Sequence, residues 1–175
     1  RYLRHIATPQ RWGDQQAEPP VDMPTDMFYH RQYGQYFSEA DELTQYLRRH
    51  HLYHEKGLRV AFISGITFPT EGNREHVDTL ISLLTQRGMN VYPLVASGRK
   101  REKMLRQLQP DAIVYLPMGR IGNDTLIQWL QEKNIALFTP FPISTTHDEW
   151  MDEKVSMSSG TKNARIVIPE IDGGT

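Results

Sequence analysis

Two carboxylates near the end of this sequence, Glu170 and Asp172, stand two residues apart in the stretch IVIPEIDGGT. In an extended segment, alternate side chains leave the backbone on one side, so the two acids would face the same way. Such a pair suits a metal ion or an amine. The same residues also read as a turn, because Asp172-Gly173-Gly174 is turn chemistry.

Four other groupings have residue types that do chemistry. His76 lies beside Glu71 and Glu75. Histidine and glutamate ligate metals and pass protons, and acidic residues in a helix first turn also answer the helix dipole. His30 is flanked by Tyr29, Arg31 and Tyr33, an arrangement that lines a flat apolar ligand or simply packs a linker onto a core. His50 and His54 are four apart. They lack the H-E-x-x-H pattern and are more simply cations at a helix C-terminus. Ser144, His147 and Asp148 are close in sequence, but no nucleophile elbow accompanies them.

The segment Gly65–Asn73 sits where a nucleotide fold would hold phosphate. It matches neither G-x-G-x-x-G nor G-x-x-x-x-G-K-[ST]. An ordinary strand-to-helix loop is the expectation.

Bulk properties narrow the field. The 175 residues suit one domain of ordinary size, with 38% hydrophobic and 23% charged residues. A net charge of −1 argues against a nucleic-acid partner or an acidic membrane surface. The absence of cysteine excludes disulfides and thiolate chemistry. It fits a reducing compartment, and the expected location is the cytoplasm. No apolar run approaches the ~18–20 residues of a membrane span. The chain starts at Arg1 without a signal-peptide pattern, and a piece of a longer protein is expected.

The elements that must position these residues alternate. Residues 1–27 are polar and broken by Pro9, Pro19, Pro20 and Pro24, which predicts an irregular arm before a domain over 28–175. SEADELTQYLRRHHLY predicts a helix, with Ser38 as N-cap and Leu43, Tyr46 and Leu47 on one face. LRVAFIS, NVYPLVA, DAIVYLP, IALFTP and ARIVIPE predict five strands. Between them, Arg74–Arg87, KREKMLRQLQ and a segment capped by Asn123 or Asp124 predict helices, and THDEWMDE a short one.

Strand and helix in alternation imply an α/β three-layer sandwich with a mainly parallel sheet, of the flavodoxin-like or Rossmann-like kind. Its working edge is the carboxyl end of the strands. SGITFPTEGN, SGRK, PMGRIGN and TPFPISTTHDE fall there, and so does Glu170 if its strand is parallel.

Taken in order, four stretches resemble the CobN-type large subunit of cobaltochelatase and its relative, the porphyrin-binding subunit of magnesium chelatase. They are Tyr29-His30, LRVAFISG with REHVDTLISLLTQRGMNVYPLVA, QPDAIVYLP, and IPEIDGGT, which is similar to the family's P-E-[LI]-D-G segment. The double glycine resembles the magnesium-chelatase branch. This resemblance implies a component of a metal chelatase that binds a tetrapyrrole macrocycle. The divalent metal (cobalt, magnesium or iron) is substrate, and corrin, porphyrin and haem are all open.

ATP enters only through separate AAA+ ATPase and adaptor subunits, which fits the missing P-loop. On this reading Glu170, with Asp172 behind it, accepts protons or touches the metal. His76 is a second metal candidate, and Tyr29, His30 and Glu71 contact the macrocycle. The rival reading is a non-catalytic α/β ligand-binding or subunit-docking module.

Overall fold

The computed structural model describes residues 25–30, 35–65, 75–117, 119–140, 151 and 162–171. It opens with a short hairpin, β1 (Met27–Tyr29) and β2 (Tyr36–Phe37), followed by helix α1 (Ala40–Arg49). Then β3 (Arg59–Ile63), α2 (Glu75–Gln86), β4 (Asn90–Val95), α3 (Gly98–Leu108), β5 (Ala112–Tyr115), α4 (Asp124–Glu132) and β6 (Ala136–Phe138) alternate. A π-helical turn, Asn163–Val167, runs into α5 (Ile168–Ile171).

The strands form one sheet in the order β2-β1-β4-β3-β5-β6. The four strands β3 to β6 are parallel, and the hairpin adds to β4 antiparallel, Met27 opposite Val95. The mixed α/β architecture is therefore the one the alternation predicts. Because β3 lies between β4 and β5, chain direction across the sheet reverses there. In open α/β sheets ligands bind where the strand order reverses, which makes the carboxyl ends of β3 and β5 the candidate crevice.

Strands β3 and β4 are short apolar runs because both faces are covered. On one face Ala61, Ile63, Tyr92, Leu94, Ile113 and Tyr115 join side chains from α1, α3 and α4 in the main core. On the other, Phe62, Val91 and Leu116 meet Val77 and Ile81 of α2, with Leu80 and Leu84 packed against them. The predicted inward faces hold in detail. Met104, Leu105 and Leu108 of α3 are buried, as are Leu126, Ile127 and Leu130 of α4, joined there by Trp129.

Helix ends follow local chemistry. Asn123 caps α4, its side-chain oxygen accepting from the Leu126 N–H at 3.0 Å. At α1 the cap is Glu39 rather than Ser38. The Glu42 carboxylate reaches back to the N–H groups of Ser38 and Glu39, at 2.9 and 3.2 Å.

At the amino ends of the parallel strands, the buried Asn90 side chain takes the place of a backbone partner. Its oxygen accepts from the His54 N–H at 2.9 Å, and its amide donates to the carbonyls of His54 and Gly57 at 2.8 and 3.0 Å. Gly57 tolerates no side chain there, since a Cβ would lie 2.1 Å from the Gly88 carbonyl oxygen.

Two sequence expectations are corrected. ARIVIPE does not form a fifth strand, because residues 162–171 are helical throughout. A β-branched run without polar alternation carries no period that separates a strand from a helical turn. The two ends of the aromatic stretch MFYHRQYGQYF pair as the β1–β2 hairpin, so Met27, expected in the irregular arm over 1–27, instead opens β1. The arm over residues 1–24 lies outside the described residues, as does THDEWMDE apart from Met151.

Candidate active-site edge

The crevice between β3 and β5 is tightly built. Gly65 follows β3 with φ +78°, and a Cβ there would stand 3.1 Å from Pro117 Cγ, just beyond β5. A residue without a side chain is what this left-handed conformation and close approach require. The Leu116 N–H donates to the Ile63 carbonyl at 2.9 Å, so the backbones stay paired up to the crevice mouth. Beyond Pro117 the chain turns through Gly119, at φ +84°, and presses Gly122 against Leu126 before α4 begins.

The side chains singled out from the sequence are distributed unevenly around this edge. His76 is exposed in the first turn of α2, the helix that starts after the loop leaving β3. It therefore belongs to the carboxyl side of the sheet. Glu71 lies outside the described residues, as does Asp172. Glu170 is exposed, and it sits in α5 rather than at a strand end. With the extended backbone goes the argument that Glu170 and Asp172 must face the same way.

Tyr29 and His30 lie elsewhere. Tyr29 is 2% exposed and pairs with Tyr36 across the hairpin. Because β1 runs antiparallel to β4, the chain from Met27 to His30 heads towards the amino end of the parallel strands. There His30 lines a cavity of about 150 Å³ with Leu47, Leu52, Ile81, Thr85 and Asn90. Its ring packs 5.0 Å from that of Tyr46, which in turn lies 4.3 Å from His50 and 5.3 Å from Phe37. Tyr29 and His30 thus occupy a different part of the molecule from the crevice. His50, four residues before His54, thus packs against an aromatic ring at the end of α1.

Among the described residues no group of three or more His, Asp or Glu side chains gathers as a metal-holding cluster. His76 and Glu170 are thus single candidate ligands. No helix among them is long and apolar enough to cross a membrane.

Three residues at the crevice were not singled out from the sequence: Gly65, Pro117 and Arg101. Gly65 and Pro117 stand in the segments expected at the carboxyl edge, and their pairing depends on strand order, which one sequence does not contain. Arg101 reads as one cation among several in KREKMLRQLQ.

Comparison with known proteins places the chain. The CobN/Magnesium Chelatase family model matches residues 1–175. No curated protein matches the chain. Among solved structures, the catalytic subunit of cobaltochelatase from Mycobacterium tuberculosis shares the fold, with a TM-score of 0.63 at 16% identity. The alignment covers 96% of this chain and 14% of that one. With its family match running along every residue, the chain belongs to the CobN/magnesium chelatase family.

Proposed function

We propose that this chain forms part of the large, tetrapyrrole-binding subunit of an ATP-dependent metal chelatase in the cytoplasm. The observation that carries the reading is the family match over the whole chain. The macrocycle is bound against the carboxyl edge of the sheet, and a divalent metal is the second substrate. ATP is hydrolysed by AAA+ and adaptor partner subunits, in keeping with the missing P-loop.

The chemistry sets the task for this chain. When a divalent metal enters a porphyrin, two pyrrole N–H bonds break, two protons leave, and metal–nitrogen bonds form. A carboxylate near the ring centre accepts such a proton. Glu170 is assigned that role, with Asp172 behind it. It belongs to the P-E-I-D-G segment and is exposed, so it reaches a ligand without unfolding its surroundings. His76, in the first turn of α2, serves the carboxyl edge as a metal contact, and Glu71 is assigned to the macrocycle. His30, by the cavity at the other end of β4, and the buried Tyr29 before it are assigned to a macrocycle that extends that far.

The test is Glu170→Gln in the intact protein that carries this chain, assayed with its ATPase partners. Metal insertion should fall at least about a hundredfold, the scale of a general base. The thermal midpoint should not move. Turnover at the wild-type rate sinks the assignment. Titration with a corrin, a porphyrin and haem separates the substrate classes, and failure of all three favours a docking module.

A further inference from the structure

Arg101 joins three pieces of chain at the carboxyl edge. Its Nε donates to the Ala96 carbonyl at 3.0 Å, just beyond β4. Its Nη1 donates to the Ile121 carbonyl at 2.7 Å, in the loop between β5 and α4. The guanidinium also lies 5.5 Å from the centre of the Tyr115 ring, on the last residue of β5. Tyr115 is 4% exposed, and its hydroxyl donates to the Arg120 carbonyl at 3.0 Å.

Two successive loop carbonyls, of Arg120 and Ile121, are therefore drawn towards one side by two side chains. In a trans peptide the N–H points opposite to the C=O. The same two bonds thus turn the N–H groups of Ile121 and Gly122 to the other side of the loop. Gly119 at φ +84° and Gly122, where a Cβ would meet Leu126 at 2.5 Å, let the backbone follow this path.

Two other basic residues of α3 have simpler occupations. Lys100 pairs with Asp26, and Arg106 pairs with Glu102 on the helix surface. Arg101 alone among these bonds to loop backbone on two sides. That requires a fork with fixed geometry; a lysine ammonium on a flexible stem would not hold both carbonyls in the same directions.

We infer that Arg101 is a positioning residue for the ligand edge: with Tyr115, it sets the shape of the Gly119–Gly122 loop at the β3–β5 crevice, and hence the fit of the macrocycle there. Its part concerning the macrocycle rests on the chelatase reading; its part concerning the loop does not.

The experiment compares Arg101→Lys with Arg106→Lys in the intact protein. Both remove a guanidinium from the same helix, but among the described residues the Arg106 side chain bonds to Glu102 and stacks near Trp129, without reaching the loop. Amide hydrogen exchange is read across Gly119–Gly122, and porphyrin affinity is read from the shift of its Soret band. Arg101→Lys should speed exchange in the loop and weaken porphyrin binding about tenfold, equivalent to ~1.4 kcal/mol. Arg106→Lys should do neither. Tyr115→Phe, which removes the hydrogen bond from the hydroxyl to the Arg120 carbonyl while keeping the ring, should move loop exchange in the same direction. Unchanged loop exchange in Arg101→Lys, or equal effects in both lysine variants, overturns the inference. A wild-type protein that binds no tetrapyrrole overturns the chelatase reading instead, and loop exchange then still decides whether Arg101 sets the loop.

Discussion

The hydroxyl oxygens of Thr44 on α1 and Tyr92 on β4 lie 2.8 Å apart, across the interface of helix and sheet. Thr44 also donates to the Ala40 carbonyl at 2.9 Å, so its single proton is spoken for and Tyr92 is the donor of the pair. Burial pushes the Tyr92 hydroxyl above its ordinary pKa of 10.0. Two influences oppose this: the Thr44 hydroxyl, which turns its proton towards a phenolate, and the Arg59 guanidinium.

The sign of the pH effect follows. Tyr92 stays protonated in the fold at a pH where the unfolded chain has already released the proton. Its contribution is complete below about pH 10 and is lost as pH rises from there through the raised value. Urea unfolding at about pH 8 and pH 11 should show this loss in the wild type and less of it in Tyr92→Phe. At the lower pH that variant should cost about 1 kcal/mol, the worth of one hydrogen bond. Equal alkaline losses in the two proteins would remove Tyr92 as the cause.

Asn90 is the most consequential buried polar side chain in the described core, at 1% exposure. Asn90→Ala deletes three hydrogen bonds and leaves backbone groups of His54 and Gly57 without them. A loss of about 2–4 kcal/mol is expected. Asn90→Asp should also destabilise, because a carboxylate cannot donate to the His54 and Gly57 carbonyls. Chemical denaturation of both variants checks this.

At α4, Asn123→Ala removes the cap on the Leu126 N–H and should cost about 1 kcal/mol. Asn123→Ser or Asn123→Asp should recover most of it. If all three variants unfold at the same denaturant concentration, the cap contributes nothing.

Gly65→Ala tests the crevice itself. The added methyl group meets Pro117, and the left-handed backbone costs an L-residue about 1–2 kcal/mol. Tetrapyrrole affinity should fall by more than stability does. The matched control is Gly88→Ala, which has φ +80° but open space around a Cβ. Affinity equally reduced in both would mean that backbone strain, rather than crevice shape, is responsible.

What the sequence disclosed, and what it withheld, follows the range of the interactions. The inward face of α3, through Met104, Leu105 and Leu108, is a local period and was readable. So were the α/β alternation and a cap at Asn123 or Asp124, of which Asn123 is the one used. The hairpin was not, because β1 and β2 have three and two residues and owe their pairing to β4. The capping role of Glu42 hid behind Ser38, which has the better intrinsic preference but is displaced by a side chain four residues on. ARIVIPE misled because its residue types suit a strand while its backbone closes into helical turns. Glu170 and His76 were recognisable as residue types that do chemistry. The contact of Gly65 with Pro117 needs the strand order and was invisible in the chain.

The placement of β3 between β4 and β5 also bears on how this protein is made. Synthesis delivers β3 before either neighbour, and both of its pairings are parallel, so neither forms through a tight turn. The apolar Val60–Ile63 stretch must wait, first for β4 and then for β5, to satisfy its two edges in turn. During that interval the nascent chain presents the segment that will become the centre of the sheet. Molecular chaperones that recognise short apolar stretches would find a target there, and slow translation between β3 and β5 would prolong the exposure.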